Sequence, residues 1–137
     1  MCMLVVTAFA ANKRFTLVID PGHGGHDAGA RGAISIEKNI NLTVALRFGK
    51  YVEQNMPEVR VIYTRKQDVF IPLHERANIA NRANAYLFIS VHTNALPAGK
   101  VARGFETYTL GMHRAKDNLD LAMRENSVIS MEKGVEQ

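Results

Sequence analysis

Three short apolar runs, residues 15–20, 59–64 and 86–91, alternate with two stretches of helical periodicity, and that alternation narrows the possible folds more than any other feature. Between the first two runs, from about Lys38 to Gln54, Ile40, Val44, Phe48 and Val52 recur every four residues, with Leu42 and Ala45 widening the face. Pro57 stops this helix. Pro72 opens the second, where a proline is tolerated in the first turn, and Leu73, Ala77 and Ala80 share a face up to about Asn84. The order β-α-β-α-β predicts an α/β fold, a mainly parallel open sheet with helices on both faces. Right-handed crossovers fix its geometry. Gly104 to Leu110 reads as a fourth strand. Its connection from His92 carries Pro97 and Gly99 and is short for a crossover helix, so this strand is expected to be antiparallel and the sheet mixed. Residues 115–132 read as helical, with Leu119, Ala122, Met123 and Val128 as a rough apolar stripe.

A chain of 137 residues with a hydrophobic fraction of 47% is enough for one domain with its own core. The net charge of +4 is a mild bias towards anionic partners such as cell-wall polymers. The basic residues are scattered and not interleaved with aromatics, which argues against nucleic-acid binding. Cys2 is the only cysteine, so neither an intramolecular disulfide nor a cysteine-rich zinc site can form. No apolar run reaches the roughly 18–20 residues of a membrane span. Residues 1–11 are set apart: an apolar stretch ends in Ala8-Phe9-Ala10, like the tail of an export signal. The domain is therefore taken as 12–137, and a periplasmic or secreted location is expected.

Between the first strand and the first helix lies a loop, 21–36, with five glycines. Loops of that length inside compact domains are often functional. In an open α/β sheet, ligands bind beyond the carboxyl ends of the strands. His23 lies just past the end of the first strand and His92 just past the third. Glu37 lies where the first helix begins, on the same side, because the helix runs back antiparallel to the strands. Taken singly, a strand-end histidine is more often a surface residue and Glu37 a carboxylate favoured by the helix dipole. Together the three form a candidate zinc site that keeps a fourth position open. Asp20 and Asp27 are candidate acceptors for a ligand histidine's second nitrogen. Ser90 and Asn94 flank His92 and could do the same or bind substrate. Arg65, Asp68 and Arg76 read as an ion-pair network holding the loop, with substrate contact by Arg65 as the alternative. His26, His74 and His113 read as non-ligands.

At these residues the chain resembles the zinc-dependent N-acetylmuramoyl-L-alanine amidases of the cell-separation and sporulation type. The resemblance covers about Phe15 to Leu110. Its marks are Val18-Ile19-Asp20-Pro21-Gly22-His23-Gly24-Gly25 with Asp27 and Gly29; Glu37-Lys38 with Asn41 and Leu42; and Thr64-Arg65 with Asp68, Leu73, Arg76 and Ala80-Asn81. Phe88-Ile89-Ser90-Val91-His92-Thr93-Asn94-Ala95 and Gly104-Phe105-Glu106 follow in the same order. The resemblance implies that His23, Glu37 and His92 hold Zn2+. It also implies hydrolysis of the amide between N-acetylmuramic acid and the L-alanine of the stem peptide, in cell-wall turnover or daughter-cell separation. Peptidoglycan is the implied partner, with an activator protein or self-association as further expectations.

One departure matters. The family's catalytic glutamate sits in a later Val-x-x-Glu-x-Gly-Phe type segment, and this sequence contains no such segment. Glu106 belongs to an earlier strand with no reason to face the metal. The catalytic base is therefore unassigned, and the resemblance implies a domain incomplete at its C-terminus, with a sheet edge or groove left unfilled. Two further readings follow: a catalytically incomplete zinc- and peptidoglycan-binding fragment or pseudoenzyme, favoured by the missing glutamate, and a zinc peptidase of similar architecture.

Overall fold

The computed structural model describes residues 14–95, 104, 105, 107, 109, 123 and 125–131. Strand β1 spans Thr16–Pro21, helix α1 Glu37–Asn55, strand β2 Arg60–Tyr63, helix α2 Leu73–Arg82 and strand β3 Leu87–Val91. Near the end of the chain, Asn126–Met131 forms a 3-10 helix. The five main elements follow the expected alternation. The export-signal-like segment 1–11, Glu106 and His113 lie outside the described residues, as do most of the expected fourth strand and helix 115–132.

The sheet has the order β2-β1-β3, and both pairings are parallel. Val18 sits opposite Ile62 on one side and Phe88 on the other; Asp20 sits opposite Ser90. All six residues of β1 are buried, as its continuous apolar run suggested for a central parallel strand. Successive side chains alternate between faces. Leu17 and Ile19 join Ala45 and Val52 of α1 in the main core, with Val59, Val61, Tyr63, Ile89 and Val91 packed around them. The opposite face carries Asp20, where Arg76 of α2 meets it.

Helix α1 buries only part of the face that its apolar period indicates. Glu37, Asn41, Ala45, Gly49 and Val52 are buried, while Val44 is 46% and Phe48 36% exposed. The reason is steric. Gly49 lies against the Tyr63 ring, so closely that a Cβ there would collide with the phenol. Small residues at 45 and 49 let the helix sit down on the sheet, and the same i, i+4 row carries Glu37 and Asn41 to the strand ends.

Asp20 ties the strand ends together. Its carboxylate accepts hydrogen bonds from Thr64 Oγ1 beyond β2 (2.5 Å), Ser90 Oγ of β3 (2.8 Å) and Arg76 Nη1 of α2 (2.7 Å). Asp20 is 3% and Arg76 5% exposed, so this is a buried ion pair whose remaining valences are met by hydrogen bonds. Removing one partner of such a pair leaves an uncompensated charge. Asp20→Ala is expected to lower the stability of the domain by about 3–5 kcal/mol, read from urea unfolding; a loss below about 1 kcal/mol would show that water repairs the site.

Candidate metal centre

The loop after β1 is built around its carbonyl groups. Gly22 N–H continues the ladder by donating to Val91 O (3.0 Å), and regular strand pairing ends there. His23 then turns into the left-handed region, with φ 61°, followed by Gly24 at 133° and Gly25 at 58°. A non-glycine residue in that region carries strain of about 1 kcal/mol or more. Arg65, only 3% exposed, donates to Pro21 O (2.9 Å), Gly22 O (2.8 Å), Lys38 O (2.9 Å) and Gln67 O (3.1 Å). Its burial, with Arg76 alongside, lowers its guanidinium from the ordinary value. Asp68 accepts from Gly25 N–H (2.8 Å) and Lys38 Nζ (2.6 Å), closing the loop from outside.

Within this frame four side chains converge. One donor atom from each of His23, Glu37, His92 and Glu125 lies within 4.8 Å of the others. His23 Nδ1 donates to Asp27 Oδ2 at 2.8 Å, which turns Nε2 inward. Nε2 is buried and makes no hydrogen bond of good geometry; it lies 3.4 Å from Glu37 Oε1 and 3.4 Å from Glu125 Oε2. His92 Nδ1 is 3.2 Å from Glu37 Oε1 and 2.8 Å from Glu125 Oε2. Glu37 starts α1, where the helix dipole favours an anion, and is oriented by N–H donation from Ala30 (2.8 Å) and Thr93 (2.9 Å). Gly22 lies against the His92 ring, and Gly29, at φ 64°, leaves room where a Cβ would come within 2.5 Å of His23 Cδ2.

These separations match what a tetrahedral ion requires. Ligand bonds of about 2.0–2.1 Å put neighbouring donors about 3.3 Å apart. Three of the imidazole–carboxylate separations, 3.2, 3.4 and 3.4 Å, lie close to that value, and the contact of His92 with Glu125 is shorter, at 2.8 Å. Two imidazoles and two carboxylates suit zinc, and the buried, unpaired Nε2 of His23 is the feature a metal would satisfy.

In the metal-free state, protons take the ion's place. Burial disfavours charge on His23, but the carboxylates of Glu125, Glu37 and Asp27 outweigh it and raise its pKa to about 10. His92 is raised to about 9 by Glu125 and Glu37 against the same burial. Burial would raise Glu125, yet the two imidazoles hold it down at about 2. Glu37 is held below the ordinary carboxylate range by His23, His92 and its backbone donors, again against burial.

The structure brings together the three residues singled out in the sequence and places the other candidates as follows. Asp27 accepts a hydrogen bond from His23 Nδ1. Asp20 does not; it contacts Arg76, Thr64 and Ser90, because strand alternation turns it to the α2 face. Arg65 faces backbone carbonyls, which fits a loop-holding role and leaves it too buried for substrate contact. Asn94 is exposed, and its neighbour Thr93 makes the contacts, through its N–H to Glu37 and its hydroxyl to Asn41 Oδ1 (2.8 Å). His26 stacks on Phe70, with ring centroids 4.1 Å apart, and His74 is exposed. Glu125 is the residue the sequence reading missed. It lies within Arg124-Glu125-Asn126, in a stretch read only for its apolar stripe.

A cavity of about 580 Å³ opens beside the centre, with His23, His92 and Glu125 at one end and Phe70, Leu73 and Phe88 among its apolar walls. Comparison with known proteins gives consistent results. Residues 17–135 match the family model described as N-acetylmuramoyl-L-alanine amidase. The endolysin of Bacillus phage SPP1 is 48% identical over 90 residues, 66% of this chain and 32% of that protein. The amidase LytC of Bacillus subtilis is 38% identical over 107 residues, 78% of this chain and 21% of that protein. Among solved structures, an N-acetylmuramoyl-L-alanine amidase from Clostridium difficile 630 aligns with TM-score 0.61 and 36% identity, covering 66% of this chain and 49% of that one. The chain thus spans less than half the length of these relatives.

The raised imidazole values set a pH dependence. The stabilising contribution of His23 and His92 is complete below their ordinary value of about 6.5 and is lost as pH rises through about 9–10. That of Glu125 is complete above its ordinary value of about 4.5 and is lost as pH falls through about 2. Metal-free protein is expected to melt highest at about pH 5–6. Bound metal displaces the imidazolium protons, so its stabilisation is expected to grow between about pH 6 and 9. Melting scans with zinc and with chelator check both trends; a zinc effect independent of pH would mean the histidines are not ligands.

Proposed function

From the premise that this chain belongs to the N-acetylmuramoyl-L-alanine amidase family, we propose that it carries a zinc centre that hydrolyses the amide joining N-acetylmuramic acid to L-alanine in peptidoglycan. The observation that carries the reading is the convergence of His23, Glu37, His92 and Glu125 beside an open cavity. A divalent ion bound there supplies Lewis acidity and an activated water.

The chain's own residues set the rest. Asp27 fixes the His23 tautomer, leaving the Nε2 lone pair for the ion. The N–H groups of Ala30 and Thr93 keep Glu37 ionised and directed at the same point. His23 and His92 approach edge to face, with ring centroids 4.8 Å apart. Glu125 adds a fourth protein donor. A site with four protein ligands is closed, whereas a catalytic zinc site keeps a position open. Hydrolysis therefore requires Glu125 to give way, and the arrangement described is a resting one. The same closure favours a second reading, a zinc- and peptidoglycan-binding domain without turnover. Export to the periplasm or the cell surface belongs to the first reading, because its substrate lies there.

Zinc content and release of stem peptides from purified peptidoglycan are the measurements. The parent is expected to hold one zinc per chain, and His23→Ala to lose at least nine-tenths of both zinc and turnover. Glu125→Ala is expected to keep zinc with turnover raised several-fold. Turnover abolished in zinc-loaded Glu125→Ala would make Glu125 the proton acceptor instead. Zinc-loaded parent and Glu125→Ala that both fail to release peptides would sink the enzymatic reading and leave the binding one.

A further inference from the structure

We infer that Arg76 is a positioning residue for the metal centre: it sets the ligating geometry of His23 through that residue's own carbonyl group. The inference rests on the zinc reading of the site.

Arg76 sits on α2, on the sheet face opposite α1, and touches none of the four converging side chains in any hydrogen bond the structure records. Its guanidinium makes four hydrogen bonds, two of them to carbonyls of the segment that carries His23. Nε donates to Ile71 O (2.9 Å), Nη1 to Pro21 O (2.9 Å) and Nη2 to His23 O (2.9 Å). Nη1 also donates to Asp20 Oδ1 (2.7 Å), which supplies the counter-charge. One rigid fork thus spans the carbonyls on both sides of Gly22.

The geometry explains why such a fork is needed. His23 is held at φ 61°, a conformation that a non-glycine residue leaves readily unless its surroundings fix it. Its carbonyl has no strand partner after β1 ends, so the donor that binds this carbonyl decides how the 23–24 peptide lies. That peptide sets the direction of the Cα–Cβ bond. Asp27 then holds Nδ1 and fixes the rotation of the ring. Arg76 acts on the backbone and Asp27 on the imidazole; with both in place Nε2 has one available direction, towards Glu37 and Glu125. A lysine could keep the charge opposite Asp20, but a single ammonium lacks the planar fork that reaches the two loop carbonyls together.

The test compares zinc affinity, by competition with a chromophoric chelator, and the visible absorption of the cobalt(II)-substituted protein. Parent, Arg76→Lys and Val52→Ala are the proteins. Val52 lies near the C-terminal end of α1 and packs in the core, and its truncation reports what general loss of stability does. Arg76→Lys is expected to bind zinc roughly 10- to 100-fold more weakly, as loss of groups that orient ligands does, and to shift the cobalt bands. Val52→Ala is expected to melt lower with parent-like cobalt bands and affinity. Parent-like bands with affinity within two-fold in Arg76→Lys would overturn the inference, as would equal losses in Val52→Ala.

Should Arg76→Lys not fold, Asp20→Asn decides, because it keeps an acceptor for Arg76 while removing the counter-charge. Its zinc affinity is expected to fall at least three-fold with altered cobalt bands, and unchanged values would overturn the inference. A parent that binds no metal would remove the zinc reading itself, an outcome distinct from a metal-binding parent indifferent to position 76.

Discussion

The buried pair of Asp20 and Arg76 is the interaction on which the remaining architecture depends. Each of the three strands and α2 brings one group to it or near it: Asp20 itself, Thr64 past the end of β2, Ser90 on β3 and Arg76. A parallel sheet supplies no side-chain link between its strands at their carboxyl ends, and these ends are where the loops must be rigid. One carboxylate that accepts three hydrogen bonds fixes the strands' mutual register at that end. The desolvation of the two charges is offset by direct contact and by filled valences. Because Arg76 continues from Asp20 to the carbonyls of Pro21 and His23, the same pair links the sheet to the loop that carries His23.

The centre divides the work of positioning among backbone and side chains. The carboxylate of Glu37 is aimed by two N–H groups, one from the glycine-rich loop and one from the residue after His92. His23 is aimed by Asp27. Glycines at 22 and 29 provide space where any side chain would meet an imidazole. The glycine-rich loop therefore has a steric cause as well as a conformational one, and its length reflects the path from the end of β1 round to the start of α1.

The legible part of this chain was its periodic part. Period-two and four-residue patterns gave β1, α1, β2, α2 and β3 in order, and strand-end logic brought His23, Glu37 and His92 to one edge. Helix α1 shows where pattern reading stops. Val44 and Phe48 dominate its apolar period, yet Ala45 and Gly49 make the contact, because close approach to Tyr63 favours small residues over hydrophobic ones. Asp20 was legible as important but not in its role: its partner Arg76 is 56 residues away, and no local spacing reveals that pair. Glu125 was invisible for a related reason. It reaches the centre from a segment with no turn or strand signal, and only the three-dimensional path shows it beside His92.

Glu125 also changes the electrostatic meaning of the site. Without it, His92 would face Glu37 alone, and burial would push that imidazole towards neutrality. With Glu125 in place each ring faces at least two carboxylates, and against their burial His23 and His92 rise to about 10 and about 9. An ion of charge +2 that replaced two imidazole protons would leave the net charge of the site unchanged. The proposed hydrolysis would ask for something different, a centre in which Glu125 has moved aside to make room. Opening the arrangement would cost the attraction between Glu125 and the two imidazoles unless the departing carboxylate found another cation or water.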